Sequence, residues 1–547
     1  MPISLPAVAG LILLAGSHVA QAPAKTDVYP KDYRVDMLNY AFHLTLSDDT
    51  DRIEGRAVID VAFRGAGVDS LRLDLTSVEG ATGMAVAEVL WNGTTTGHRH
   101  EDNVLWVDVP GVSAEDQYGQ FEVRYGGVPA RGLLIGPNKH GDRTFFSDNW
   151  PNWARDWLPT VDHPYDKATN EFIVTAPGHY QIACNGIQIE ETNLEGGRKL
   201  THWKNSVPIA TWLYALAAAE FAVQHVTDFR GVPIETWVYR QDRDAGFYDF
   251  AVPTPHAMEF FSDYVGPYAY ERLANIQSNS VGGGMEAATN IFYGDRSVTG
   301  NREVRWRNII IHEVAHQWFG NAVTESDWDD VWLSESFATY FTLLFREHAY
   351  GREDFVAGLK DHREGFRRWI AENGTEFRTI HDNLDPISRG TVTTYQITYL
   401  RGAWVLHMLR NLVGDESWWQ GIRTYYAEFM NLNATTEDFM RHMEEASGME
   451  LQAFFDQWLR RGGHPDLEVV WARGRDGQLR VRVNQSSDFI LPVEIGIYAP
   501  GSDTPEVFSL PVRPGASDHA VRYDGEIERV VVDPRTVLMA NWTLRAR

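Results

Sequence analysis

IIHEVAHQWFGNAVTESDWDDVWLSE, residues Ile310 to Glu335, decides how this chain is read. His312 and His316 are four apart, so a helix from Asn308 to Phe319 projects both imidazoles from one face, where they can grip one ion. Glu313 sits beside them, within reach of a water at that ion. Apolar Ile310, Ile311, Val314, Ala315, Trp318 and Phe319 supply the buried side a rigid site needs. Beyond eighteen intervening residues after His316 comes Glu335, on a second predicted helix. There Leu333, Phe337, Tyr340, Phe341, Leu344 and Phe345 recur at helical spacing, and Glu335 falls off that stripe, free to face a cleft. Two imidazoles and one carboxylate make a catalytic zinc set, because a fourth position stays open. A closed structural site would draw on thiolates, and the chain has 1 Cys, Cys184.

At 547 residues the chain is too long for a single core, and about two to four domains are expected. Its 75 acidic against 49 basic residues leave a formal charge of -26, which argues against nucleic acid or an anionic membrane as partner. Met1 to Ala22 contains an apolar run from Leu5 to Ala15 and ends Ala20-Gln21-Ala22, the small-x-small pattern of a secretory cleavage site. Export to the periplasm or the medium is therefore expected, although no Lys or Arg precedes Leu5. The run is too short to span a bilayer, and no other uncharged stretch of about twenty apolar residues follows, so no transmembrane segment is expected in the mature chain. Cys184 alone can close no intrachain disulfide.

From Asp27 to about Ala222 the periodicity is that of strands. Ile53, Ala57, Ile59, Val61 and Phe63, then Leu71, Leu73 and Leu75, alternate with mostly polar neighbours as half-buried strands do. Asn185-Gly186 reads as a hairpin turn. A second strand-rich patch spans Gln224 to Arg240, after which helix signals run to Leu459. Within them VGGGMEA places Gly282, Gly283 and Gly284, which permit close backbone approach, before the carboxylate of Glu286. A phosphate loop would need Lys and Ser or Thr here, and Glu286 would repel phosphate. An edge strand along which a peptide can lie is the better reading. Further on, TYQITYLRGAWVLHMLR, Thr394 to Arg410, predicts a helix with Leu400, Trp404, Val405, Leu406 and Leu409 on its buried side. Gly462-Gly463-His464-Pro465 breaks the helical run. Strands then return from Asp466 to Arg547, with Val469 to Trp471 and Leu479 to Val483 joined across Asp476-Gly477.

HEVAHQWFGN followed by WLSESFATYF resembles the zinc aminopeptidases of the aminopeptidase N and leukotriene hydrolase family, whose pattern is His-Glu-x-x-His, eighteen residues, then Glu. FFSDNWPNWARDWLPTVDHPYDKATNEF, Phe145 to Phe172, is similar to the family's segment from the amine-binding loop to a Pro-x-x-Asp-x-Pro turn. Arg155, Pro159, Asp162, Pro164 and Lys167 match. Thr160 stands where relatives often have Cys, and Trp150 where they place a substrate-binding Gln or Glu. Met285 and Glu286 match the family's Gly-x-Met-Glu-Asn, with Ala287 replacing Asn. Tyr399, before Leu400-Arg401-Gly402-Ala403, matches Tyr-x-Lys-Gly-Ala with Arg for Lys, and Tyr395 is its nearby rival.

The resemblance implies a multidomain α+β chain. After a signal peptide over 1–22 come an antiparallel, saddle-like β domain over 23–222, a thermolysin-like, mostly α catalytic domain over 223–462, and a small β-sandwich over 463–547. The helical domain that many relatives append is not expected. It also implies a secreted aminopeptidase acting on peptides with a free N-terminus, with one zinc per chain on His312, His316 and Glu335. Glu313 would be the general base and Tyr399 the oxyanion donor, while Glu286, Met285, Gly284, Gly283 and Trp150 would bind substrate. An endopeptidase or other hydrolase on the same scaffold is the alternative that Trp150 and Ala287 keep open. A non-catalytic peptide-binding protein would show eroded catalytic residues, and none is eroded.

Overall fold

The structure is a computed structural model that describes residues 27–111, 116–380, 384–474 and 477–547. The apolar segment Met1 to Ala22 and the turn residue Asp476 lie outside the described residues. Alternation builds the first domain: in the strand Ile53–Phe63, Ile53, Ala57, Ile59 and Val61 are fully buried. That strand belongs to an eight-stranded sheet centred on Val35–Thr45, which pairs antiparallel with it (Phe42 opposite Ala57). On its other side Val35–Thr45 runs parallel to Ala168–Pro177, with Phe42 opposite Phe172. The expected antiparallel domain thus carries one parallel pair at its centre. The two strands are far apart in sequence, so no hairpin dictates their relative direction.

A four-stranded sheet packs with it and contains Arg143–Asp148, paired between Gly132–Pro137 and Leu216–Ala219. Asn185-Gly186 proves not to be a hairpin turn. Gln181–Cys184 lies in this sheet and Ile187–Leu194 on the edge of the eight-stranded one, so the pair turns a corner between sheets. The buried Asn185 side chain fixes that corner, donating to Leu213 O at 2.9 Å and Ala288 O at 2.7 Å and accepting from Ala215 N at 2.6 Å.

A five-stranded sheet begins at Phe221 and ends on an edge strand, Gly284–Met285, which pairs antiparallel with Asn290–Gly294. Behind it stand the helices Val304–His316, Trp332–Tyr350, Arg352–Asn373 and Gly402–Val413. Every residue of Trp332–Tyr350 from Trp332 to Phe345 is buried, which makes this helix the axis of the domain. Truncating one of its aromatics, such as the fully buried Phe337, would cost about 3–5 kcal/mol. The histidine helix stops at His316, three residues short of the sequence expectation, because Gly320 at φ 110° folds the chain back and the Asn321 N–H closes on His316 O at 3.1 Å. A π-helical turn, Tyr395–Arg401, leads into Gly402–Val413.

The C-terminal strands form a four-stranded and a three-stranded sheet. Asp466–Arg473 pairs antiparallel with Gln478–Gln485, as the expected hairpin requires, with Val469 opposite Val483. The apolar side chains of these sheets continue into the core of the catalytic helices through Leu459, Leu467 and Phe489. Among the described residues no helix is long and apolar enough to cross a membrane.

Candidate active site

His316 Nε2 lies 3.1 Å from His312 Nε2 and 3.1 Å from Glu335 Oε2, and His312 Nε2 lies 3.4 Å from the same oxygen. A tetrahedral zinc with bonds of about 2.0–2.1 Å separates its ligand atoms by about 3.3–3.4 Å, so the three atoms already sit near the corners such an ion requires. His316 Nδ1 faces Phe319 O and Ser334 Oγ, each at 3.1 Å. Carrying the proton there for the carbonyl leaves the Nε2 lone pair for an ion. A Cβ on Gly320 would come within 2.3 Å of Ser334 Oγ, so this positive-φ glycine is required by space as well as by backbone.

The electrostatics ask for a cation too. Glu286, Glu313 and Glu335 are all buried at this spot. Burial, reinforced by Glu286, holds the Glu313 carboxyl well above its ordinary range. Burial alone would lower His316, yet Glu286 and Glu335 outweigh it and raise its affinity for a proton. Three buried carboxylates around two imidazoles fit a divalent ion. Among the described residues one other trio could hold an ion, namely Asp27, His163 and Asp327. There the Lys31 ammonium already bonds both carboxylates, at 3.3 Å to Asp27 and closely to Asp327.

Glu313, the residue after the first histidine, lies against the edge strand. A Cβ on Gly284 would stand 2.1 Å from Glu313 Oε1, so the glycine makes room for that carboxylate rather than for another backbone. Gly282 and Gly283 border open space. Tyr399 donates to Glu335 Oε1 at 2.5 Å, while Tyr395 is 59% exposed and reaches none of the ligands. The π-helical turn aims the later tyrosine at the ion site. Burial and Glu335 raise the Tyr399 phenol well above its ordinary range, keeping it a neutral donor.

Glu286 follows the edge strand, with its Oε1 buried and without a hydrogen-bond partner. Its backbone carbonyl accepts from Gln317 Nε2 at 2.9 Å and Asn321 Nδ2 at 2.7 Å, which clamps the strand to the end of the histidine helix. Neither residue was singled out from sequence, although both stand in HEVAHQWFGN. Ala287 is buried with Met285 in the apolar cluster beneath the strand. Trp150 joins that cluster, packed edge-on against Trp212 and Trp328 and 8% exposed. The β-domain carboxylate that acts on Glu286 is Asp148, two residues earlier. Arg155 pins its own loop through Asp162 at 3.0 Å. Lys167 reaches across to Asn321 O and Ala322 O, both at 3.0 Å, and so ties the β domain to the loop after the histidines.

Known proteins share this plan. The Peptidase M1 N-terminal domain model matches residues 36–213 and the Peptidase family M1 domain model matches residues 251–458. Aminopeptidase A of Gloydius brevicauda is 30% identical over 342 residues, covering 59% of this chain and 35% of that protein. Glutamyl aminopeptidase of Mus musculus is 27% identical over 388 residues, covering 68% of this chain and 39% of its own. The chain thus spans well under half the length of these curated relatives. An M1 zinc metallopeptidase from Deinococcus radiodurans superposes with a TM-score of 0.66 at 25% identity, covering 78% of this chain and 93% of that one. A mutant of that metallopeptidase, solved with a Tyr-Ser-Ala substrate, gives 0.67 at 25% identity over 79% and 96%. With both halves of the family pattern matched in order around one intact ligand set, the chain belongs to peptidase family M1.

Proposed function

We propose that this chain is a zinc-dependent aminopeptidase, holding one zinc on His312, His316 and Glu335 and removing residues from the free N-termini of peptides. The observation that carries the reading is Glu286, a buried carboxylate with an unpartnered oxygen at the end of an edge strand beside the ligand set. A peptide added along that edge meets the carboxylate where its chain must end, and a free ammonium satisfies it. Bound at the site, zinc supplies Lewis acidity, which polarises a carbonyl and lowers the pKa of a water.

The chain's own groups do the rest. Glu313 Oε1, held against Gly284, accepts the proton of the attacking water and passes it to the leaving amine. Tyr399, neutral and already at the ligand carboxylate, donates to the oxygen on which negative charge develops. Glu286 fixes the ammonium and Met285 floors the strand, so the bond one residue in is the one presented. Trp150 contributes a wall through its packing.

The test compares one peptide with free and acetylated N-termini. Cleavage of the free form alone, removal of one residue at a time, and a raised KM in Glu286→Ala are expected. Equal rates on both forms would replace this reading with an endopeptidase. We also propose that the chain is exported, a reading that rests on Leu5 to Ala22. N-terminal sequencing of the protein from periplasm and medium tests it, and full-length chain in the cytoplasm alone would refute it.

A further inference from the structure

Arg389 pairs with Asp148, the β-domain carboxylate whose charge acts on Glu286. Its Nη2 is 2.5 Å from Asp148 Oδ1, its Nε donates to Trp150 O at 3.0 Å, and its guanidinium stacks 4.1 Å above the Trp153 ring. Asp148 closes the strand Arg143–Asp148, which is tied to the glycine-rich segment by Ser280 Oγ donating to Ser147 O at 3.1 Å. Val392, three residues after Arg389, is fully buried in the same apolar cluster as Met285 and Ala287, the residues on either side of Glu286. Asp148 in turn is close enough for its charge to act on Glu286.

The geometry points to Arg389 as a specificity-determining residue that receives an acidic side chain, Asp or Glu, on the first residue of the peptide. This rests on the aminopeptidase reading above, which puts the ammonium at Glu286. Ammonium and side chain leave the same Cα, so a cation beside the amine acceptors is within a few bonds of the side chain. A guanidinium has five N–H donors, and the two bonds described hold one each. Stacking on Trp153 and the bond to Trp150 O fix the plane of the fork, so its ordering is largely done before a ligand arrives. The Arg389 side chain is 43% exposed, so a ligand can reach it. The amine acceptors themselves are acidic, Asp148 acting on Glu286 and Glu286 on Glu313, so a carboxylate on the first residue needs a cation such as Arg389 to offset them.

The experiment measures kcat/KM on three free peptides differing only in their first residue, Glu, its neutral isostere Gln, or Leu. The enzymes are the zinc-loaded wild type, Arg389→Met and Arg389→Lys. The readout is the Glu/Gln ratio, in which general damage to folding or catalysis cancels. Wild type is expected to favour Glu. Arg389→Met should lower the ratio about tenfold, the scale of one partly exposed charge-assisted bond, and Arg389→Lys should fall between because it keeps charge but not the fork. A ratio unchanged in both variants, or a wild type that favours Gln, overturns the assignment while leaving the aminopeptidase reading in place. Failure of the wild type to cleave any of the three free peptides overturns both.

Discussion

The Tyr399 hydroxyl donates to Glu335 Oε1 at 2.5 Å, and the other oxygen of the same carboxylate faces His316 Nε2 at 3.1 Å. One side chain thus couples the hydrogen-bond donor to the ligand set. That bond holds the ring in place before any substrate arrives, and because the phenol has one proton, the hydroxyl must turn from Glu335 to the oxygen on which charge develops.

Tyr399→Phe should therefore lower kcat by about a hundredfold and leave KM nearly unchanged, since the lost bond belongs to the transition state. Tyr395→Phe, at an exposed ring 5.2 Å from that of Tyr399, should stay within about twofold of wild type. Steady-state kinetics on both variants decides. A loss carried by Tyr395 instead would move the role one helical turn back.

Glu313→Gln keeps the shape of the side chain and removes the proton acceptor. Metal analysis should still find one zinc per chain, because Glu313 is not among the three ligands, while kcat should fall by about a thousandfold or more. Wild-type protein stripped with a chelator should be inactive and recover on adding zinc. Activity that persists in chelator would refute the metal mechanism.

Gly284→Ala tests the contact behind the base. The new Cβ would meet Glu313 Oε1, Cδ and Cγ at 2.1, 2.4 and 2.4 Å, so the carboxylate must leave its place. A fall in kcat of about a hundredfold with zinc retained is expected, because a misplaced base of this kind costs about that much. Gly283→Ala, which points into open space, is the matched control. Equal activity of the two variants would count against the placement of Glu313.

Asp166 makes a pH prediction about stability. It is buried, and burial, opposed by one bond from the Met37 N–H at 3.4 Å, pushes its carboxyl from 3.8 up to about 8. Between those values the folded chain binds a proton that the unfolded chain has released, so stability falls as pH rises through the window. Asp166→Asn removes that loss. Its stabilisation should be larger at pH 8 than at pH 4.5 by about 1–3 kcal/mol, read as a difference in denaturant midpoints. A gain independent of pH would show that Asp166 does not titrate there.

How far the chain was legible before its fold can be argued from these residues. His312, Glu313 and His316 declare themselves because a helix converts a spacing of four into one face, and Glu335 follows from a second apolar stripe that leaves it aside. Alternation marked the strands of the first β domain, and in the last one Asp466–Arg473 and Gln478–Gln485 pair antiparallel, as two strands joined by a turn should. Local pattern misled where the partner lay far away. Asn185-Gly186 looked like a hairpin and is a corner between two sheets, because turn chemistry specifies a bend and not which sheet the next strand joins.

By itself, then, the sequence determined what is local: the ligand spacing, the edge strand ahead of Glu286, the order of β, α and β segments, and the motif resemblance to peptidase family M1. Tertiary structure alone decided which side chains meet. It brought Tyr399, already favoured by its motif, onto Glu335 through a π-helical turn, put Gln317 and Asn321 on the Glu286 carbonyl, packed Trp150 among other tryptophans, and carried Arg389 across to Asp148. The reason is physical. Periodicity encodes which face of an element is buried, whereas contacts between residues more than two hundred positions apart, as Asp148 and Arg389 are, depend on how several faces pack at once.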